Sequence, residues 1–252
     1  MNESLLIQVI SLKDDVDRRA NLSLHFPKYH ESFNYIDAVD YRSKSVSDLA
    51  CKVVDSGLTA VEYGCTLSHI KALKEFVDSK YKFCLILEDD IRGEDSSLEA
   101  VKNLLDVEGE DYFFSVLGGQ EGLKNSKYLY GFEREKRIYR LLKVSRFFLA
   151  RTCCYLVDKR AANTILERHM EKVCRADDWA YLLAGFKNIF FANFFSHPLD
   201  LNGSHIEVSR KKARKGIVHK IIKDGIGYTF AMLVMKFTVL IFSLFSKAKK
   251  CV

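Results

Sequence analysis

One short stretch constrains this chain more than any other. Phe83-Cys84-Leu85-Ile86-Leu87 is wholly apolar and is followed at once by Glu88-Asp89-Asp90. A short unalternating apolar run reads as a strand buried on both faces of a sheet. Three acids at the end of such a strand repel one another and lose hydration. A divalent cation is the usual partner of such a cluster. In an α/β sheet, ligands bind at the carboxyl ends of the strands, which is where these acids fall. The plainer reading is a solvated loop before Gly93, with Asp89 or Asp90 capping the next segment. The stretch alone leaves both readings open.

The rest of the chain supplies the matching elements. Leu5 to Ser11 reads as a first strand, and Asp14 or Asp15 can cap a helix running toward Phe26, with Pro27 beyond it. Arg18 and Arg19 fall in its first turns, either as solvated cations or as contacts to a phosphate. Phe33 to Val39 reads as a second strand. Thr59-Ala60-Val61-Glu62 has the capping-box pattern, and Leu67, Ile70, Leu73, Phe76 and Val77 give the helix after it an apolar face. Ser68 and His69 lie on that helix, where a histidine among apolar neighbours is more often a core residue than a ligand. Further strands are expected at Tyr112–Leu117, Cys153–Val157 and Ile189–Phe195, with helices at Leu98–Leu105 and Lys159–Met170 and a loop or hairpin over the site between Leu123 and Leu142. Strands alternating with helices imply an α/β fold with a mainly parallel sheet. A second acidic pair, Asp177-Asp178, precedes the apolar run Ala180 to Leu183.

With 48% apolar and 12% aromatic residues and two prolines in 252, the chain has the composition of a folded protein, not a disordered one. The start lacks the pattern of a signal peptide. Seven cysteines without C-x-x-C spacing fit reduced thiols in a cytosolic protein better than a disulfide or zinc framework. The net charge of +6 is unevenly divided. From Ser209 onward eleven Lys or Arg stand against Asp224 alone, a charge of +10, so residues 1–208 carry −4. A uniformly basic chain would suggest nucleic acid, whereas this division indicates no nucleic-acid partner and a tail that meets an anionic membrane surface. The expected domains are therefore 1–208, catalytic, and 209–252, a basic and apolar tail.

Two separated acidic clusters suit group transfer from a nucleotide-sugar. One can hold a metal against the diphosphate leaving group, and the other can take a proton from the attacking hydroxyl. Spacing alone does not separate this from a metal-dependent phosphodiesterase or other hydrolase, or from a non-catalytic membrane-tethered binding protein.

Four stretches, in order, resemble glycosyltransferase family 25, the lipooligosaccharide glycosyltransferases of Gram-negative bacteria. They are Val9-Ile10-Ser11-Leu12 with Arg18-Arg19; Glu62-Tyr63-Gly64-Cys65-Thr66-Leu67-Ser68-His69; Leu87-Glu88-Asp89-Asp90; and Tyr155 to Ala161 followed by Asp178. The resemblance implies a GT-A-like, Rossmann-type nucleotide-sugar domain and inverting transfer of a hexose, often galactose, from a UDP-hexose to a lipid-linked oligosaccharide. In that reading Glu88 and Asp90 hold Mn²⁺ or Mg²⁺, and Asp89 faces the donor sugar or ribose. Ser11, Leu12 and Arg18 or Arg19 line the nucleotide, with Ser68 and His69 beside it. The family pattern has one acid where this chain has Asp177 and Asp178. Asp178 fits the register as catalytic base, with Asp177 as the alternative.

The tail adds Arg210-Lys211-Lys212-Ala213-Arg214-Lys215 and a nearly continuous apolar run from Ile226 to Phe245. The run is long enough to span a bilayer. Lys236 near its middle and basic clusters at both ends favour a helix lying in the interface instead. The expected location is cytoplasmic, peripheral on the inner face of the inner membrane.

Overall fold

The computed structural model describes residues 4–43, 57–105, 113–135, 137–198 and 217–252, without the side chains of 103 and 217–229. The chain folds as β1 (Leu5–Ser11), α1 (Val16–His25), β2 (Asn34–Asp37), α2 (Ala60–Asp78), β3 (Phe83–Glu88), α3 (Asp95–Leu104), β4 (Phe114–Gly118), β5 (Tyr130–Glu135), β6 (Ile138–Leu141), β7 (Cys154–Asp158), α4 (Lys159–Glu171), α5 (Trp179–Leu182), β8 (Phe190–Phe195), α6 (Ile217–Phe245) and β9 (Lys249–Lys250). Among the described residues, nine strands form one sheet in the order β2-β1-β3-β7-β4-β8-β6-β5-β9.

The α/β class holds, but the sheet is mixed: three of its strand pairings are parallel and five antiparallel, because β7 is reversed and the β5–β6 hairpin and β9 add antiparallel pairs at one edge. β1 pairs in parallel with β2 and β3, and β4 with β8. β7 lies antiparallel between β3 and β4, which leaves those two running the same way as β1. The reversal of β7 matters for the site. This strand enters the sheet where its neighbours leave it, so the residues just before β7 sit at the rim that carries the ends of β3 and β4.

Each face of the sheet is buried, as the apolar run of β3 requires. Cys84 and Ile86 face one core with Phe114, Val116, Tyr155 and Val157, under Leu73 and Phe76 of α2 and Ile165 of α4. Leu85 and Leu87 face the other with Ile7, Val9 and Leu156, under Leu22 of α1 and Leu98 and Val101 of α3. The capping box forms as read: the Thr59 hydroxyl accepts from the Glu62 amide at 3.2 Å, and the Glu62 carboxylate accepts from the Thr59 amide at 3.0 Å. Asp158 caps α4 by accepting from the Ala161 amide at 2.6 Å. At the end of β4, Gly118 and Gly119 have φ of 144° and 71°. A Cβ on Gly118 would lie 1.8 Å from the Phe195 carbonyl, so the close passage of β8 requires glycine there.

The segment 123–142 corrects the expectation of a cover over the site. Its β5–β6 hairpin joins the sheet beside β8. Among the described residues of this segment, Leu123 alone reaches the cleft described below. The second strand is shorter than read, four residues from Asn34. The basic cluster 210–215, the loop 202–205, the proposed boundary near 208 and Tyr112 lie outside the described residues. Among the described residues no helix is long and apolar enough to cross a membrane. α6 does touch the folded body: Val239 is buried in the first core, and β9 pairs with β5. Most of its other described apolar side chains are exposed, among them Phe230, Leu233, Phe237, Phe242, Leu244 and Phe245.

None of the described cysteines forms a disulfide. One buried histidine gives the fold a pH dependence. His169 on α4 is 4% exposed, and burial, with His69 nearby, pushes its pKa down to about 4. The unfolded chain takes up a proton near the ordinary value of about 6.5 and the folded chain does not. This part of the stability is therefore complete above that value and lost as pH falls toward 4. By pH 4.5 the loss should reach about 2–3 kcal/mol. Urea denaturation of wild type and His169→Gln at pH 7.5 and 4.5 checks this: the variant should lose less stability between the two than the wild type.

Candidate functional site

A cleft of about 290 Å³ opens at the carboxyl ends of β1 and β3. Its walls include Ser11 at the end of β1, Leu12 just after it and Arg18 in the first turn of α1, Cys65, Ser68 and His69 from α2, and Glu88, Asp89 and Asp90 from the end of β3. Arg151, Thr152 and Cys153 before β7, Arg175, Ala176 and Asp177, and His197 after β8 complete it.

Each acid of the triplet has a different neighbourhood. Glu88 accepts from the Thr152 hydroxyl at 2.5 Å and lies 3.3 Å from His69 Nε2. Asp89 is 8% exposed and accepts from Arg18 Nη1 at 2.8 Å. Burial raises its pKa, and the Arg18 bond and charge offset only part of that rise. Asp90 is half-buried, with its side chain 22% exposed, and its loss of hydration alone would raise its pKa. His197 Nε2 at 3.3 Å, with Arg18 at 3.9 Å, instead holds it below the ordinary range. The same contact raises the pKa of His197 against its burial. One oxygen of Asp90, Oδ1, is buried without a hydrogen-bond partner. An orphaned buried carboxylate oxygen carries a full desolvation cost unless something positive meets it. A carboxylate with a histidine beside it is a donor pair that Mn²⁺ accepts. Asp90 and His197 therefore fit a divalent cation, whereas the Glu88 carboxylate groups with Cys65 and His69, their ligand atoms within 4.8 Å of one another.

The second acidic pair divides. Asp177 lines the cleft. Its Oδ2 accepts from the Arg151 amide at 3.1 Å, and its Oδ1 lies 3.8 Å from Arg175 Nε. Asp178 is the N-cap residue of α5 and is not part of the cleft wall. Trp179, 2% exposed, anchors this turn by donating from Nε1 to the Arg151 carbonyl at 3.0 Å. Arg151 itself has φ +60° and reaches the Gly119 carbonyl at 2.6 Å through Nη1. That left-handed conformation is unfavourable for a residue with a Cβ. It lets one residue bond Asp177 through its amide, Trp179 through its carbonyl and the β4 end through its side chain.

Of the other residues expected at the site, Ser11, Leu12, Arg18, Ser68 and His69 all reach the cleft. Ser68 also joins α2 to the end of β2, since its hydroxyl accepts from the Val39 amide at 2.8 Å and donates to the Gly64 carbonyl at 2.7 Å. His69 is a buried residue with both ring nitrogens partnered, Nδ1 by the Tyr155 hydroxyl at 3.1 Å. Arg19 stands outside the cleft wall. Its guanidinium ties β1 to β2 through Ser11 Oγ at 3.1 Å and Asp37 Oδ1 at 3.1 Å, and it lies over the Tyr35 ring.

Sequence reading missed His197, Thr152 and Arg151. His197 follows β8 at its carboxyl end, the same position that singled out Glu88 after β3. A backbone bridge, Arg92 with Ser196, holds these two ends together at 2.9 Å in each direction. Thr152 and Arg151 precede an antiparallel strand, where a rule about carboxyl ends does not look.

The sequence model of glycosyltransferase family 25 (LPS biosynthesis protein) matches residues 5–180. No curated protein matches the sequence. Among solved structures, a glycosyltransferase involved in the glycosylation of the major capsid of PBCV-1 is 9% identical, with a TM-score of 0.42, over 78% of this chain and 93% of that one. An active-site mutant of LgtC is 13% identical, with a TM-score of 0.40, over 74% and 72%. A UDP-glucose pyrophosphorylase complexed with UDP-glucose is 11% identical, with a TM-score of 0.39, over 75% and 72%.

Proposed function

We propose, from the premise that this chain belongs to glycosyltransferase family 25, that its cleft transfers a hexose, galactose foremost, from UDP-hexose to a lipooligosaccharide acceptor with inversion at the anomeric carbon. One observation carries this reading: the acidic triplet, Arg18 and Asp177, distant in sequence, line a single cleft at the carboxyl ends of the strands. Asp90 and His197 would hold Mn²⁺ or Mg²⁺, and the cation when bound supplies positive charge for the diphosphate leaving group. Arg18 adds a fixed cation on the same side and keeps Asp89 oriented toward the donor sugar or ribose. Ser11 and Leu12 line the nucleotide end. Asp177 takes the proton of the attacking acceptor hydroxyl from the far wall. Its carboxylate is already aimed by the Arg151 amide, so little reorganisation remains when the acceptor arrives.

The exposed apolar side chains of α6 and the neighbouring Lys247, Lys249 and Lys250 suit a peripheral contact with an anionic membrane surface, where a lipid-linked acceptor is presented. Flotation with anionic and with neutral vesicles tests this part; equal recovery from both would remove it.

Release of UDP, measured with purified protein, UDP-hexoses, a lipooligosaccharide core acceptor and Mn²⁺, tests the central reading. The expected result is UDP release that needs the acceptor and stops in EDTA. Release that proceeds equally without acceptor would replace transfer by hydrolysis. Thermal shift with each nucleotide-sugar, with and without Mn²⁺, identifies the donor as the sugar that stabilises only together with the metal.

A further inference from the structure

A second group of metal-binding side chains stands in the cleft wall. Cys65 and His69 lie four residues apart on α2, so they share one face of the helix. That face turns toward the end of β3. The Cys65 Sγ, a ring nitrogen of His69 and a carboxylate oxygen of Glu88 all lie within 4.8 Å of one another. His69 Nε2 lies 3.3 Å from Glu88 Oε1.

Their surroundings already orient them. The Tyr155 hydroxyl meets His69 Nδ1, and the Thr152 hydroxyl meets Glu88. Outer groups of this kind fix the tautomer and angle of a metal-binding imidazole and typically account for about 10–100-fold in affinity. Zinc bond lengths of about 2.0–2.3 Å place ligand atoms of a tetrahedral site roughly 3–4 Å apart. The three ligands therefore need only small side-chain rotations to close on one ion. A thiolate among them favours Zn²⁺ over Mg²⁺ or Mn²⁺, which prefer oxygen.

We propose that Cys65, His69 and Glu88 form a zinc site in the wall of the cleft, and that Zn²⁺ bound there switches transfer off by tying up Glu88. The site stands on its own geometry; its effect on turnover rests on the reading given under Proposed function. Binding forms one Zn–S, one Zn–N and one Zn–O bond. The Cys65 thiol proton passes to solvent, and His69 stays neutral with its proton on Nδ1, donated to the Tyr155 oxygen. The fourth position faces the cleft and takes water. No electron moves.

Co²⁺ is the probe, added to the reduced full-length protein in excess Mg²⁺. A sulfur-to-cobalt charge-transfer band is expected in the near ultraviolet, and Zn²⁺ should bleach it at one equivalent. Cys65→Ser should lose the band, His69→Gln should weaken it, and Asp90→Asn should keep it. Near-ultraviolet circular dichroism on each variant separates a lost ligand from a lost fold; should His69→Gln unfold, Cys65→Ser decides alone. In the UDP-release assay, Zn²⁺ should inhibit wild type, and Cys65→Ser should need at least about 10-fold more Zn²⁺ for half inhibition. Absence of the band in wild type, or its survival in Cys65→Ser, overturns the site. A band with turnover indifferent to Zn²⁺ overturns the switch. A band in a protein that transfers no sugar with any donor overturns the transferase reading and leaves the zinc site supported.

Discussion

Asp90→Asn is expected to abolish turnover while leaving the fold in place. Asp90 is the acid whose surroundings are most clearly incomplete. It is held ionised by His197 and Arg18, yet its Oδ1 is buried without a partner. An amide keeps the size of the side chain and removes the charge that a cation would meet. Stabilisation of a leaving diphosphate by a metal is worth several kcal/mol, so the loss should be roughly 10³-fold or more. The melting temperature without ligand should stay near that of wild type or rise, because a costly half-buried carboxylate has gone. The further stabilisation by UDP and Mn²⁺ together should disappear. Calorimetric melting with and without UDP and Mn²⁺, beside steady-state assays, measures both effects. Wild-type turnover in the variant, or full activity of the wild type in EDTA, would sink the assignment.

Asp177→Asn should lower kcat by about 10²–10⁴-fold with donor binding retained, the usual contribution of a general base. Asp178→Asn should cost far less. The two positions differ by one residue and by everything around them. Asp177 faces the cleft, fixed by the Arg151 amide and near Arg175. Asp178 begins α5, where its carboxylate makes no capping bond to the helix. Kinetics at saturating UDP-hexose, with UDP binding measured separately, distinguish a lost base from a lost site. A near-normal kcat in Asp177→Asn with a deep fall in Asp178→Asn would restore the register expected from the family pattern. Retention at the anomeric carbon would reject a single displacement assisted by either acid.

Much of the scaffold could be read directly because its signals are local. β1 spans the residues expected, and the Thr59–Glu62 box and the Asp158 cap mark their helices as read. The run Phe83–Leu87 signalled burial on both faces, and the two cores confirm it. The acidic triplet was legible for the same reason: strand, end and charge are contiguous. The choice between Asp177 and Asp178 was not legible, because it depends on a turn fixed by Trp179 and Arg151 across 28 residues. His197 was hidden for a similar reason. Its meaning comes from Asp90, which only the pairing of β8 beside β4 and the Arg92–Ser196 bridge bring near. The hairpin 130–141 was misplaced because its polar and aromatic residues do not say which sheet edge receives it.

Arg151 joins backbone strain to three bonds at one residue. A glycine there would relieve backbone strain of the order of 1–2 kcal/mol, but it would lose the guanidinium bonds to the Gly119 and Glu121 carbonyls and loosen the unfolded chain, so the two sides roughly offset. The chain carries an arginine instead, at the one point where amide, carbonyl and guanidinium hold Asp177, Trp179 and the end of β4 together. Heat alone would therefore scarcely distinguish arginine from glycine at residue 151, whereas a screen for turnover should, because a looser glycine backbone holds the amide that aims Asp177 less firmly.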